Sequence, residues 1–438
     1  MRDETKGDRQ MGTTVNDLRA AIDIGTTKVC VVISARKPDQ RLQVLGLGAA
    51  SCDGLRKGVV TDAQAIAQSV RLALHTASEQ AGHKINKAYV GLAGSHIASE
   101  ARWTHVPRQP GVHPVNDADL EAALVTAARF DPAAGREVLH VIPRSYTLDG
   151  VHGVRNPAGM HTGELHIQSQ AITGSSEHIQ ALQAAVLAAG ITPAGMIVEP
   201  MATAESVLTA EDRDGVTVLV DIGGGKTDIA VLQDGVMVYA TVLPAGGYQF
   251  TNDLSIALSL PYAEAEKLKV EKGSVTPDMM GQSPELAVLP AGMDTPLTIT
   301  QRELGHLLRD RAEEMLEMVR LKLEVQALAD THVDRYVLTG GGAKLEGLLP
   351  LAKHLFQKKV RLGVPKPIDG LHESSRDPAN AAAIGAVVWG MRNLPEDSHV
   401  ARPHAVATSE GNILSSLFDW IPIWPRRGSA TRPAAKVQ

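Results

Sequence analysis

Two stretches decide how this chain folds: Arg19-Ala-Ala-Ile-Asp-Ile-Gly-Thr-Thr-Lys-Val-Cys-Val-Val-Ile33 and Val216-Thr-Val-Leu-Val-Asp-Ile-Gly-Gly-Gly-Lys-Thr-Asp-Ile-Ala-Val-Leu232. In each, two β-rich runs flank a tight glycine-bearing turn, the pattern of a hairpin. Both carry Asp-Ile-Gly at the turn, and Asp23 and Asp221 stand 198 positions apart. Repetition on this scale predicts two related halves facing each other. A third glycine turn, in Tyr336-Val-Leu-Thr-Gly-Gly-Gly-Ala343, reads as strand, turn, then helix.

Helical patterns fill the chain between the turns. Asp62 to Ala81 places Ile66, Val70 and Leu74 on one face, and Gly82 stops it. Asn116-Asp-Ala-Asp119 is an N-cap for a helix running through Phe130. Glu177 to Ala189 is a helix ended by Gly190, and Tyr248 to Lys272 is mostly helical. Asp278 to Asp294 reads as loop, Gln301 to Ala329 as a long charged helix with an apolar stripe, and Asn380 to Trp389 as a buried terminal helix. Residues 1–17 read as a disordered leader and 392–411 as a flexible linker.

The 438 residues predict two to three domains, at roughly 150 residues each. With 44% apolar and 21% charged residues, collagen-like and wholly disordered classes are excluded. The net charge of −6 lacks the basic bias of a nucleic-acid binder. Cys30 and Cys52 fit a reducing compartment and read as small buried hydrophobes. The N-terminus has no apolar signal region, and the longest apolar run, Ala381 to Met391, is about half the ~20 residues of a spanning helix. A cytoplasmic protein is expected. Phe and Trp number four each, yet Phe418, Trp420 and Trp424 fall within seven residues. Chance would put ~0.1 of the eight there, so that stretch needs its own explanation.

The turns carry the chemistry. No GxxxxGK[ST] sequence occurs, so this is not a P-loop protein. Gly25, Gly223, Gly224 and Gly225 let backbone N–H groups approach anionic oxygens, and Thr26, Thr27 and Thr227 add hydroxyls. Asp23 and Asp221 would repel a phosphate unless a cation bridges them, and Mg²⁺ held through water is the natural bridge. One such turn alone is as well explained by a plain hairpin with a glycine bulge.

The order of the three turns resembles the phosphate-1, phosphate-2 and adenosine signature of the actin, heat-shock-chaperone and sugar-kinase ATPases. Asp23-Ile-Gly-Thr-Thr-Lys28 resembles phosphate-1, Asp221-Ile-Gly-Gly-Gly-Lys-Thr-Asp228 phosphate-2, and Val337-Leu-Thr-Gly-Gly-Gly-Ala343 the adenosine motif. Val198-Glu-Pro-Met-Ala-Thr-Ala204 and Asn380-Ala-Ala-Ala-Ile-Gly385 resemble the two connecting helices. The resemblance spans 19–391. It implies an α/β, actin-like two-domain fold of duplicated ribonuclease-H-like halves with an ATP cleft between them. ATP and Mg²⁺ would be bound through Asp23, Gly25, Thr26, Thr27, Lys28, Asp221, Gly223, Gly224, Gly225, Lys226, Thr227, Gly340, Gly341 and Gly342. Glu199 and Asp221 take the catalytic roles, Glu199 positioning the attacking water; its plain reading is a helix-entry acid. Ala265-Glu-Lys-Leu-Lys269 looks like the ribose and adenine segment, with Glu266 and Lys269 as contacts or else a solvated helix face. Lys226 stands where the motif usually has Thr; it either meets the terminal phosphate or points to solvent, and it puts normal ATP turnover in doubt.

Within that superfamily the chain resembles the bacterial cell-division FtsA family. Ala88-Tyr-Val-Gly-Leu-Ala-Gly-Ser-His-Ile-Ala-Ser99 resembles the start of that family's inserted subdomain 1C, and Val141-Ile-Pro-Arg-Ser-Tyr-Thr-Leu-Asp-Gly150 with Asn156-Pro-Ala-Gly-Met160 its return. The expected division is 18–84 and 166–214 for subdomain 1A, 85–165 for 1C, 215–247 for the first part of 2A, 248–332 for 2B, and 333–391 for the end of 2A and the closing 1A helix. The third point of resemblance is the tail, 412–424. On a helical wheel Ile413, Leu414, Leu417, Phe418, Trp420, Ile421 and Trp424 lie within about 160°, with Asn412, Ser415, Ser416 and Asp419 opposite. Beside it, 425–438 carries Arg426, Arg427, Arg432 and Lys436 and no acid. This is the make-up of an interfacial anchor for anionic lipid, or else of a docking helix. Pro422 limits the regular helix to about two turns. The resemblance implies a peripheral protein of the cytoplasmic membrane face at the division site. Its partners would be the FtsZ C-terminal peptide, copies of itself in filaments, anionic lipid and later division proteins, and no nucleic acid. Arg302 and Arg311 are candidates to pair with that acidic peptide, or a solvated helix face. ATP would serve assembly, with weak turnover. A pilus-assembly actin-like scaffold and a sugar-kinase-type phosphotransferase are the alternatives; the latter lacks a visible sugar cleft.

Overall fold

A computed structural model describes residues 18–108, 113–276, 284–324 and 332–392. The first hairpin forms β1 (Leu18–Ile24) and β2 (Lys28–Arg36), extended antiparallel by β3 (Leu42–Ser51). A small hairpin, β4 (Leu55–Arg56) and β5 (Val59–Val60), leads into α1 (Ala63–Ala81). Asp62 caps α1 by accepting from the backbone of Gln64 and Ala65, and Gly82 ends it in the left-handed conformation at φ 69°. The Gly82 stop is as the sequence predicts, while Asp62, expected as the first helical residue, is the cap before it. β6 (Lys87–Leu92) then joins β1 in parallel.

The insertion follows: β7 (Ala98–Val106), α2 (Asp117–Ala128), β8 (Arg136–Leu148), β9 (Val151–Val154) and β10 (Leu165–Ser175). Its antiparallel sheet has the order β7-β10-β8-β9, with α2 over a core of Val106, Leu124, Tyr146, Leu165 and Ile167. Asn116 and Asp119 form a reciprocal capping box on α2, which ends two residues short of Phe130. The insert's sheet thus runs from 98 to 175 and not over the expected 85–165. β6 is almost wholly buried as an inner parallel strand of the first half, and β10 pairs with both β7 and β8. The chain returns through α3 (Ser176–Ala188), β11 (Thr192–Val198) and α4 (Glu199–Val207).

The second half repeats the plan with β12 (Val216–Ile222), β13 (Thr227–Gln233) and β14 (Val236–Leu243). An outer subdomain holds α5 (Gly247–Ala257), α6 (Tyr262–Lys272), the hairpin β15 (Glu285–Val288) and β16 (Leu297–Thr300), and α7 (Gln301–Leu323). Then come β17 (Arg335–Thr339), α8 (Leu348–Phe356), β18 (Lys359–Leu362) and α9 (Ala381–Arg392). The 248–272 stretch is mostly helical as expected, in two helices parted at Pro261. Two expectations are corrected: part of the 278–294 loop is strand β15, and Arg392 ends α9 instead of opening a linker.

The two main sheets have one plan. The first is ordered β3-β2-β1-β6-β11 and the second β14-β13-β12-β17-β18, each a three-stranded antiparallel meander continued by two parallel strands. Between them lie α4 and α9, in a core drawing on Ala21 and Val32 of one half and Leu219 and Ala230 of the other. The helices cross in contact at Gly385, where an added Cβ would lie 1.7 Å from the Ala202 carbonyl oxygen. Among the described residues no helix is long and apolar enough to cross a membrane. The leader 1–17, the linker after 392, the tail residues Ile413 to Trp424 and the basic end lie outside the described residues.

Candidate functional site

The two Asp-Ile-Gly hairpins meet at the seam between the halves. Each turn is closed by the same bond: Gly25 N–H donates to the Lys28 carbonyl, and Gly223 N–H to the Lys226 carbonyl, both at 2.9 Å. The turns face each other so closely that a Cβ on Gly224 would lie 2.5 Å from the Thr27 methyl, and one on Gly225 2.8 Å from the Thr26 side chain. The third turn joins them. Gly340 sits at φ +84°, and a Cβ there would lie 2.3 Å from Asp221 Oδ1 and 2.5 Å from the Ile222 carbonyl. Only glycine permits that conformation and that approach. The N-terminus of α5 closes the group, with Gly247 N–H donating to the Gly223 carbonyl at 2.9 Å and Tyr248 N–H to that of Gly224 at 2.7 Å. The N–H groups of Gly25, Gly223, Gly247 and Tyr248 are spent on these carbonyls, and what this cradle of converging glycine turns and a helix N-terminus offers a phosphate is close approach to side-chain-free backbone at Gly224 and Gly225.

Four carboxylates from both halves line this cradle: Asp23, Glu199, Asp221 and Asp228. Burial pushes Asp23 and Asp221 up to about 6. It raises Asp228 to about 6 and Glu199 to about 7, against the pull of the Lys226 ammonium. Lys226 is itself buried, and its Nζ donates to Glu199 Oε2 at 2.6 Å and to Asp228 Oδ2. Burial disfavours its charge, but the two carboxylates outweigh this and hold its pKa above the ordinary lysine range. Asp221 Oδ2 accepts from Thr203 Oγ1 at 2.9 Å. Asp23 Oδ1, Thr26 Oγ1 and Asp228 Oδ1 are buried with no hydrogen-bond partner. Carboxylate and hydroxyl oxygens left unsatisfied fit a hard cation such as Mg²⁺. No group of three or more His, Cys, Asp or Glu among the described residues is arranged to hold a metal alone. Such an ion would be held by Asp23 and Asp221 through water, together with phosphate oxygens.

The structure brings most of the expected residues together and gives three of them other partners than expected. Lys226 neither faces solvent nor lies free for a phosphate: it is bound to Glu199, which therefore does not stand free to position water. Lys28 turns from the cradle to donate to the Ala379 carbonyl at 2.9 Å and Asn380 Oδ1 at 2.7 Å. Thr227 spends its hydroxyl on the Ala245 carbonyl at 2.8 Å. Glu266 and Lys269 do adjoin the cradle. Lys269 Nζ donates to Glu266 Oε2 at 2.7 Å, to Thr251 Oγ1 at 2.9 Å and to the Gly247 carbonyl at 3.2 Å.

Comparison with known proteins now decides the family. The family model "Cell division protein FtsA" matches residues 218–385, and "SHS2 domain inserted in FTSA" matches residues 94–173. The FtsA of Pseudomonas aeruginosa is 33% identical over 403 residues, 91% of this chain and 96% of that one. The chain belongs to the FtsA family of cell division proteins. The FtsA proteins of Neisseria meningitidis and Escherichia coli are 32% and 29% identical, covering 92% and 93% of this chain and 97% and 96% of their own lengths. Among solved structures, a chain of the PilM-PilN type IV pilus biogenesis complex superposes with a TM-score of 0.61 at 19% identity, covering 85% of this chain and 98% of that one. MreB 5 of Spiroplasma citri bound to AMPPNP does so with a TM-score of 0.51 at 12% identity, covering 86% and 96%. These two show the fold, which is actin-like as expected.

The SHS2 match falls on the four-stranded inserted sheet, 94–173 against the strands' 98–175. On the expected FtsA partner face, Arg311 is already gripped. Its Nε and Nη2 meet the two Asp253 oxygens at 2.6 and 3.0 Å, and its Nη1 donates to Glu314. Arg302 lies exposed near the start of α7. Sequence reading missed Asp228, Thr203, Asn380 and the Gly246-Gly247 pair. Asp228 had a readable signal: it stands two places after Lys226, which the turn delivers directly into β13, so the period of two puts both on one side.

Proposed function

We propose that this FtsA-family chain is an ATP-binding, actin-like tether of the FtsZ ring. It binds ATP with Mg²⁺ in the cradle between its halves, polymerises on the cytoplasmic face of the membrane at the division site, and recruits later division proteins. The observation that carries this reading is the convergence of three glycine turns and the α5 N-terminus at one seam between duplicated halves. In it, Gly224 and Gly225 would bind phosphates beside Gly25 and Gly223, whose N–H groups close their turns, with Glu266 and Lys269 on the nucleoside side and Asp23 and Asp221 holding a hydrated Mg²⁺. When bound, that ion neutralises phosphate charge. Lys226 occupies Glu199, the carboxylate whose raised pKa suits it to accept a proton from water, so turnover is weak. Membrane contact is assigned to the 412–424 segment and its basic neighbours, and the FtsZ C-terminal peptide to the outer subdomain around α7.

The test is pelleting with anionic liposomes in the presence of ATP. The full chain should sediment with them, and a chain lacking residues 411–438 should stay in solution. Equal sedimentation of both would overturn the tether. In parallel, ATP should raise the melting temperature of the full chain, and Asp221→Ala should lessen that rise.

A further inference from the structure

Lys226 is a feature that the family reading does not absorb. The cradle gathers four carboxylates from both halves, a charge that by itself repels a triphosphate. Of the two hairpin lysines, Lys28 is spent on Ala379 and Asn380. Lys226 remains as the ammonium bonded inside the cradle, joining Asp228 of the second half to Glu199, whose Cγ lies near Gly91 of β6 in the first. It directly follows Gly225, the residue in contact with Thr26 across the seam, so the turn delivers it to the boundary itself. Its desolvation is met within the folded chain by its two carboxylates. A lysine is also a compact point charge that serves phosphate without planar geometry.

We propose that Lys226 is a tethered counter-cation of the nucleotide cradle. It supplies from within the chain part of the charge that a divalent metal otherwise supplies, so that this protein holds a nucleoside triphosphate with little dependence on free Mg²⁺. The proposal rests on the nucleotide-binding reading above. Lys226 cancels one of the two charges of Glu199 and Asp228 whether or not metal is present, so Mg²⁺ meets one net charge fewer beside Asp23, Asp221 and the phosphates. With Thr at 226, Glu199 and Asp228 would stand uncompensated beside the phosphates, and metal would have to offset all four.

The experiment is ATP binding to the full chain, by calorimetric titration in excess Mg²⁺ and again in excess EDTA. The wild type should lose less than about fivefold in affinity on removing the metal, and Lys226→Thr more than about fiftyfold. Lys226→Arg, which keeps the charge, should behave as the wild type. The ratio is taken within each variant, so a general loss of affinity cancels. Should Lys226→Thr fail to fold by circular dichroism, the wild-type ratio decides alone: a loss of about fiftyfold or more in EDTA overturns the proposal. Equal ratios for wild type and Lys226→Thr overturn it too. Absence of ATP binding even with Mg²⁺ instead overturns the nucleotide reading, and the proposal with it.

Discussion

The two hairpins share one backbone and put the same residue to different uses. Lys28 and Lys226 each stand five places after their Asp, and each closes its turn with a 2.9 Å bond from glycine. Each reaches the helix that trails the other half: Lys28 to Asn380 at the start of α9, Lys226 to Glu199 at the start of α4. They differ two places further on, across from the Asp. Asp23 pairs with Cys30, and Asp221 with Asp228. Burial pushes the Cys30 thiol up to about 12, so it stays neutral and Lys28 meets only neutral oxygens. Asp228 gives Lys226 a carboxylate on its own strand face, and with Glu199 it makes a buried ion triad. Duplication kept the frame, and two exchanges, Cys30 against Asp228 and Asn380 against Glu199, decide whether the lysine is a tie on the rim or a charge in the centre.

The largest expected effect breaks this contrast directly. Lys226→Met leaves Glu199 and Asp228 buried without their cation and should cost about 3–5 kcal/mol. Lys28→Met forfeits charge-assisted bonds to two neutral oxygens and should cost about 1.5–3 kcal/mol. Urea unfolding midpoints compare the pair, and equal losses would show that the two lysines do the same work. Next comes the third turn, which packs against the second hairpin at Asp221 and Ile222. Gly340→Ala forces a side chain into a glycine-only conformation against Asp221 and should cost about 2–3 kcal/mol. Its neighbour Gly341 has only Ala379 Cβ near, at 3.6 Å, so Gly341→Ala should stay within about 0.5 kcal/mol. Thermal melts of the two variants should separate clearly; coincident melts would remove the close approach of the turn to Asp221.

Local chemistry was legible in the sequence, and long-range partners were not. The hairpins, the stop of α1 at Gly82 and the N-cap of α2 at Asn116 follow from period and capping rules, and all are found. The glycines of the three turns converge as their order suggests. What sequence could not supply is which acid a lysine meets across 27 positions, or that Lys28 prefers an asparagine 352 positions away. Hydroxyl direction escaped as well. Thr227 is a strand residue facing away from the cradle, toward the Ala245 carbonyl. The insert was recognisable, but its edges were not. β6 and β10 alternate like any strand, and which sheet they join is settled by neighbours far away in sequence.

The smallest effect is a pH dependence that distinguishes the acid pair of the second hairpin from the Asp–Cys pair of the first. Asp221 is raised from the ordinary 3.8 to about 6, first by burial and then by the like charge of Asp228 opposite it. A carboxyl whose folded pKa lies above its unfolded value holds its proton longer in the folded state. Its contribution to stability is therefore greatest below about pH 4 and is lost as pH rises to about 6. Asp221→Asn removes this group from titration, so the fall in melting temperature between about pH 4 and 6 should flatten by about 1–3 °C. Asp228→Asn should flatten it further than loss of its own proton alone requires, because it also removes the charge that raises Asp221. Cys30→Ser, at the matching place in the first hairpin, exchanges one neutral group for another and should leave the slope unchanged. A slope that responds to Cys30→Ser as strongly as to Asp228→Asn would mean that the acid pair is not the source of the dependence, and that the two hairpins differ less than their lysines suggest.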